Sequence, residues 1–269
     1  MQKKHPPITP PRATKTKKTS WGHVASWYDT MLADTESYQR KVILPNLLRL
    51  LDIKKGTRMI DIACGQGFFT HEFAEKGARI TGTDISPELI AIAKKNTSKE
   101  ADFLVSPADT LSFAPDNSID VITIILAIQN INPIHTVFRE CFRALRAEGT
   151  LNIVMNHPAF RIPKSSDWQF DDGANIQYRR ISRYLSESNT EIDMHPGDTK
   201  NHIKTISFHR PLQAYVKNLS NAGFVIDRLE EWASHKKSGR GPRQTAENNA
   251  RKEIPLFLFL RAKKNTPHK

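Results

Sequence analysis

A chain of 269 residues, 38% of them hydrophobic, is long enough to bury one α/β core with an insertion, so a single domain is expected. Its net charge of +12 sits at the ends: residues 1–20 hold six basic side chains and no acid, residues 235–269 hold ten against two, and the body between them is close to neutral. The longest apolar run, Val121 to Ile128, is far short of the roughly twenty residues that span a bilayer, and the two cysteines make no disulfide framework, so a cytoplasmic protein without a membrane span is expected.

Residues 1–20 are rich in Pro, Lys and Thr and read as a disordered basic tail, because they bury too little to offset the entropy of ordering. Such ends serve solubility first, and they also leave RNA, anionic lipid or an acidic partner open. From Trp21 onward, Val24, Trp27, Tyr28, Met31 and Leu32 recur at helical spacing. Tyr38 to Leu51 continues the pattern with Val42, Ile43, Leu47 and Leu48, so two helices are expected before the first strand.

Met59 to Thr70 is an apolar run with an embedded acid, Asp61, that breaks at Gly65-Gln66-Gly67 and passes into helical sequence. That is a strand, a tight turn and a helix N-terminus, where glycines let the backbone approach a ligand and unpaired N–H groups face it. An ordinary strand-to-helix turn has the same appearance. After a helix over 68–76, stopped by Gly77, residues 79–83 form a second strand that runs out on Asp84, near the spacing of a ribose-binding acid. A nicotinamide dehydrogenase would use the same acid, but here Thr70 stands where a third glycine is wanted and Asp61 lies inside the strand.

Ser86 caps and Pro87 opens a helix over 87–97, and Phe103 to Val105 makes a third strand with Ser106-Pro107-Ala108-Asp109 behind it. Ser118 to Leu126 is β-branched and almost wholly apolar, as in a strand buried on both faces, and it ends at Ala127-Ile128-Gln129-Asn130, where ligands bind in open α/β sheets. Asn132 and Pro133 open a helix through Leu145, and Thr150 to Met155 is the fifth strand. Residues 156–210 then break the βα rhythm and read as a functional cover rather than a connection. A helix from Leu212, stopped by Gly223, and two strands over 224–229 and 256–261 close the chain.

The pair D-I-A-C-G-Q-G and G-T-D-I-S resembles motifs one and two of the class I S-adenosylmethionine-dependent methyltransferases. The resemblance covers roughly residues 21–262, leaving 263–269 as a second basic tail, and it implies an α/β fold: a Rossmann-like, seven-stranded, mostly parallel sheet with an N-terminal helical cover and an insertion after strand five. It implies S-adenosylmethionine as cofactor. Asp61 would face the methionine amino group beside Ala63, Gly65 and Gly67, Asp84 and Ile85 would hold the ribose, and Ala108 and Asp109 the adenine, with Leu126 alongside. A turn or cap acid is the alternative reading of Asp109. Tyr28, in a stretch similar to the Y-D-x-M region of small-molecule methyltransferases, lines the site or is simply core.

The same resemblance assigns the insertion to the acceptor. Gln129, Asn130, Trp168, Tyr178, Arg179, Arg180, Tyr184 and Arg210 are the candidate substrate-binding residues, suited to an anionic, partly apolar small molecule, and each has a packing role as its alternative. His157 and His209 are candidate general bases. The Asn-Pro-Pro-aromatic clamp of amino-adenine methyltransferases and the Pro-Cys of pyrimidine methyltransferases are missing after the fourth strand, which disfavours both groups. A small-molecule methyltransferase is the expectation; an RNA methyltransferase gripping phosphates with its basic ends and a non-catalytic S-adenosylmethionine-binding adaptor are the alternatives. The ten histidines are scattered, without metal-site spacing.

Overall fold

A computed structural model of the chain describes residues 34–95, 101–193 and 204–265. The tail over 1–20, the first expected helix with Tyr28, and residues 266–269 lie outside the described residues. A π-helical turn, Gln39–Ile43, runs into α1, Leu44–Leu51, and Val42, Ile43, Leu47 and Leu51 of its apolar stripe are buried.

Strands and helices then alternate: β1 Arg58–Ile62, α2 Phe68–Glu75, β2 Arg79–Asp84, α3 Pro87–Lys95, β3 Ala101–Val105, β4 Ile119–Ile125, α4 Ile134–Ala144 and β5 Leu145–Asn156. The chain ends with α5 Leu212–Asn221, β10 Phe224–Trp232, α6 Gln244–Glu253 and β11 Phe257–Lys264. One seven-stranded sheet has the order β10-β11-β5-β4-β1-β2-β3. Its five strands from β3 to β5 are parallel, and β11 and β10 join antiparallel at one edge. One core holds Leu47, Phe73, Ile90 and Phe259, and the other holds Ile124, Phe138, Tyr215 and Leu260, so helices cover both faces. The strand order reverses between β1 and β4, and the carboxyl ends of β1, β2 and β4 open on one side.

The insertion departs from the sequence expectation, which found no regular structure there. It contains two antiparallel hairpins, β6 Ser166–Asp171 with β7 Ile176–Ile181, and β8 Ser188–Asp193 with β9 Lys204–His209. Their alternation is carried by polar and aromatic residues, so no apolar period of two marks them; even in β9, where burial does alternate, the residues that turn inward are the polar Thr205, Ser207 and His209. Helix α6 was likewise unmarked, because only Ala246 and Ala250 of its residues are buried. No helix among the described residues is long and apolar enough to cross a membrane.

Candidate active site

The turn after β1 is a coil of left-handed backbone: Ala63, Gly65 and Gly67 have φ of 55°, 58° and 84°. The Gly67 amide closes it on the Cys64 carbonyl at 3.0 Å, and α2 starts at once with Phe68. A Cβ on Gly67 would come within 2.7 Å of the Phe103 ring, so that position takes glycine for space as well as for φ.

Asp61 sits one residue before the end of β1, and 2% of its surface is exposed. Its two oxygens accept hydroxyl hydrogens from Thr123 on β4 at 2.8 Å and Thr70 on α2 at 2.7 Å. Burial pushes its pKa up to about 6 against the pull of those hydroxyls, and the Asp84 charge adds to the rise. Asp84 ends β2 and accepts the Gly65 amide at 3.0 Å and the Ser86 amide at 2.9 Å. Burial raises its pKa too, opposed by these amide bonds. Burial and both carboxylates push the Cys64 thiol up, which disfavours its thiolate.

A cleft of about 380 Å³ opens over these groups. The candidates Asp61, Ala63, Gly65, Asp84, Ile85, Ala108, Asp109 and Leu126 all line it. Gly67 does not; it shapes the turn from behind. Asp109 is exposed and lies in the turn that the Thr110 amide closes on the Pro107 carbonyl at 3.1 Å; no helix begins there, and among the described residues its carboxylate accepts from the Thr110 hydroxyl at 3.4 Å. The opposite wall runs from Leu126 through Asn130, Ile131, Asn132 and Pro133, and Phe68 and Phe69 complete it. Sequence reading placed a ligand at this end of β4 through Asn130 but passed over Ile131, Asn132 and Pro133 beyond it, and over Phe68 and Phe69, two aromatics directly behind the glycine turn, whose signal is position alone.

The insertion supports that wall. Asn130, which lines the cleft, donates to the Ile206 carbonyl of β9 at 3.0 Å, and the Arg210 guanidinium donates to the Ile131 carbonyl and to Asn132 Oδ1, each at 3.0 Å. Arg210 is 6% exposed and reaches the cleft only through these residues. Gln129 turns back to the Leu126 carbonyl instead of lining the space.

Other candidates lie elsewhere. Trp168 and Arg179 face each other across β6–β7 and line a second cleft, while Arg180 pairs with Asp167 in solvent and Tyr178 is exposed. The Tyr184 hydroxyl accepts the Leu212 amide at 3.0 Å, which ties the insertion to α5, and its carbonyl accepts from His209 Nε2 at 2.8 Å. His157 accepts the Ala159 amide on Nδ1 and donates from Nε2 to Glu231 at 2.7 Å, with its ring against Phe160. Both histidines are buried and neither lines the cleft. Among the described residues no cluster is built to hold a metal ion.

Residues 60–153, the stretch that carries both acids and the glycine turn, match the family described as Methyltransferase domain. An uncharacterized protein of Haemophilus influenzae is 27% identical over 214 residues, 76% of this chain and 81% of its own length. The ubiquinone biosynthesis O-methyltransferase of Xanthomonas oryzae is 28% identical over 99 residues, so the match takes in 36% of this chain and only 41% of that enzyme. In structure, an S-adenosylmethionine-dependent methyltransferase from Mesorhizobium loti superposes with a TM-score of 0.67 at 25% identity, over 82% of this chain and 96% of the other. The chain belongs to the class I S-adenosylmethionine-dependent methyltransferases, and S-adenosylmethionine is its cofactor.

Proposed function

We propose that this enzyme methylates a small-molecule acceptor that enters between the Asn130–Pro133 wall and the Phe68–Phe69 corner of the cleft. The observation that carries the reading is the gathering of Asp61, Asp84 and Asp109 into one cleft whose remaining wall is mostly apolar or amide-bearing, with Ser106 and Cys64 beside them. The donor set suits the cofactor: Asp84, already oriented by two backbone amides, has lone pairs left for ribose hydroxyls, Asp61 suits an ammonium group, and Asp109 suits the adenine amino group beside Ile85 and Ala108.

The bound cofactor supplies a methyl group on a sulfonium, already a good electrophile. What the chain has to do is hold the acceptor in line and keep water out, for which orientation can contribute about 7 to 11 kcal/mol. Phe68, Phe69, Ile131 and Pro133 exclude water, and Asn130 offers an oriented amide. No histidine is among the described residues lining the cleft, so a nucleophile that is already deprotonated at neutral pH suits it best. Incubation with methyl-labelled S-adenosylmethionine and a cell extract, followed by separation into small molecules, RNA and protein, tests the reading. Label in the small-molecule fraction is the expected result; label in RNA or protein alone overturns it.

A further inference from the structure

Outside the methyl-donor cleft, a second cleft of about 280 Å³ lies where Tyr38, the segment after β5, the β6–β7 hairpin, Ser234 after β10, and the end of α6 with the residues behind it meet. Three arginines face it: Arg161, Arg179 and Arg251. None of its ten lining residues is acidic. The neighbouring arginines behave differently, since Arg180 pairs with Asp167 and Arg243 with Asp172 on the same hairpin.

Behind them the acid acting on the cluster is Asp167, which is bonded to Arg180 and is felt by Arg179 at longer range. Among the described residues the Arg161 guanidinium makes no hydrogen bond or ion pair; its backbone amide donates to the His157 carbonyl at 2.8 Å. Arg179 donates to the Phe160 carbonyl at 2.7 Å and to Ser166, which fixes its guanidinium plane, and its charge lies 5.1 Å from the centre of the Trp168 ring. Arg251 has only the Ser238 hydroxyl at 3.3 Å. Burial draws both Arg161 and Arg179 below the ordinary arginine value; the Arg161 charge adds to the effect on Arg179 while Asp167 opposes it, and Tyr38 opposes the effect on Arg161. Like charges gathered in a cleft that no acid lines oppose one another unless an anion joins them, and guanidinium forks match carboxylate and phosphate oxygens. The Tyr38 and Ser234 hydroxyls, 3.0 Å apart on the same wall, add neutral donors, while Trp168, Ile254 and Pro255 supply an apolar floor.

We infer that this second cleft binds a small organic anion, with its carboxylate or phosphate held by Arg161, Arg179 and Arg251 and its flat or apolar body on Trp168. The inference does not rest on the acceptor reading, because the two clefts share no lining residue.

Calorimetric titration of the full chain with phenyl phosphate and with benzoate, at fixed ionic strength in a buffer free of other oxyanions, tests it. Saturable binding of either is expected, and the tighter of the two assigns the headgroup. Arg161→Gln, which disturbs no internal hydrogen bond, should weaken that binding at least tenfold, and Trp168→Leu should weaken it further than it weakens inorganic phosphate. Both variants should keep the wild-type affinity for S-adenosylmethionine, which is titrated in parallel; failure of that titration bears on the methyl-transfer reading and not on this site. Absence of saturable binding, an affinity unchanged in Arg161→Gln, displacement of the anion by S-adenosylmethionine, or tighter binding of a short RNA than of either small anion overturns the inference.

Discussion

The Gly65 amide donates to Asp84 Oδ2 across 3.0 Å, so the glycine turn after β1 and the carboxylate that ends β2 are held as one piece. Changing Asp84 to Asn removes the charge and turns an NH2 group toward one of the two amides it now accepts. Charge-assisted hydrogen bonds contribute about 1.5 to 3 kcal/mol each, so affinity for S-adenosylmethionine should fall roughly ten- to a hundredfold. Titration calorimetry reads the loss, and a variant that binds as well as wild type would remove Asp84 from the site.

Asp61 predicts the pH dependence of cofactor binding. Its folded pKa of about 6 lies above the ordinary aspartate value, so its contribution to stability is full below roughly pH 4 and is lost as pH rises through 6. A cationic ligand has the opposite preference, because it favours the carboxylate. S-adenosylmethionine affinity should therefore weaken as pH falls below 6, by up to about tenfold per unit, with Asp84 adding in the same direction. Asp61→Asn should bind more weakly at pH 8 and flatten the profile; an equally steep profile in that variant would assign the proton elsewhere.

Gly82, in β2, lies under the turn, and a Cβ there would stand 2.8 Å from the Phe103 ring and 2.9 Å from Cys64 Sγ. Neither neighbour has room to withdraw, since Phe103 is 3% exposed and the Cys64 backbone is pinned to Thr83. Gly82→Ala should cost about 1 to 3 kcal/mol in urea denaturation, the usual range for overpacking. Combined with Phe103→Leu it should cost less than the two changes summed; strict additivity would mean that the ring does not carry the clash.

The parts of this fold and site that could be read from the residues are those whose chemistry is local. Asp61, the glycine turn and Asp84 announce themselves by residue type and spacing, and the β-branched run of β4 could be nothing but a central strand. The hairpins of the insertion and α6 could not be read, because their side chains alternate without an apolar stripe and their partners are distant in sequence. Arg210 shows the limit most plainly. Its type and position suggested a substrate anion; its Nη2 donates to the Ile131 carbonyl and Asn132, some 78 residues back in the chain, while its Nη1 is buried without a hydrogen-bond partner among the described residues.

His157 tests whether a lone histidine near a strand end is structural. Both ring nitrogens are engaged, and burial lowers its pKa against the pull of Glu231. A lowered folded value means that its contribution to stability is present above about pH 6.5 and is lost as pH falls through the folded pKa. Thermal melts of His157→Asn should begin lower than wild type at pH 8, and the gap should narrow toward pH 5. Methyl transfer per folded molecule should be unchanged; a selective loss of turnover with an unaltered melt would return His157 to the chemistry.

Arg210 is predicted to act as a positioning residue for the acceptor wall. Its two bonds to Ile131 and Asn132 join the start of α5 to the loop that closes the cleft, while the guanidinium lies 5.1 Å from the Phe208 ring and is excluded from solvent. Arg210→Ala leaves the Ile131 carbonyl and the Asn132 side chain without their donor, at a cost of about 1.5 to 3 kcal/mol that should appear as a lower melting temperature. Lysine brings a point charge but no fork, and should restore only part of it. Loosening should be confined to the wall, so amide exchange over 126–133 should quicken while exchange at the glycine turn and affinity for S-adenosylmethionine stay within about threefold of wild type. With an acceptor in hand, kcat/KM for that acceptor should fall by at least tenfold through kcat more than KM, because a misplaced acceptor still binds but is no longer in line. If Arg210→Ala instead raises only the KM, and amide exchange over 126–133 is unchanged, the guanidinium touches the acceptor directly and the wall is held by Asn130 alone.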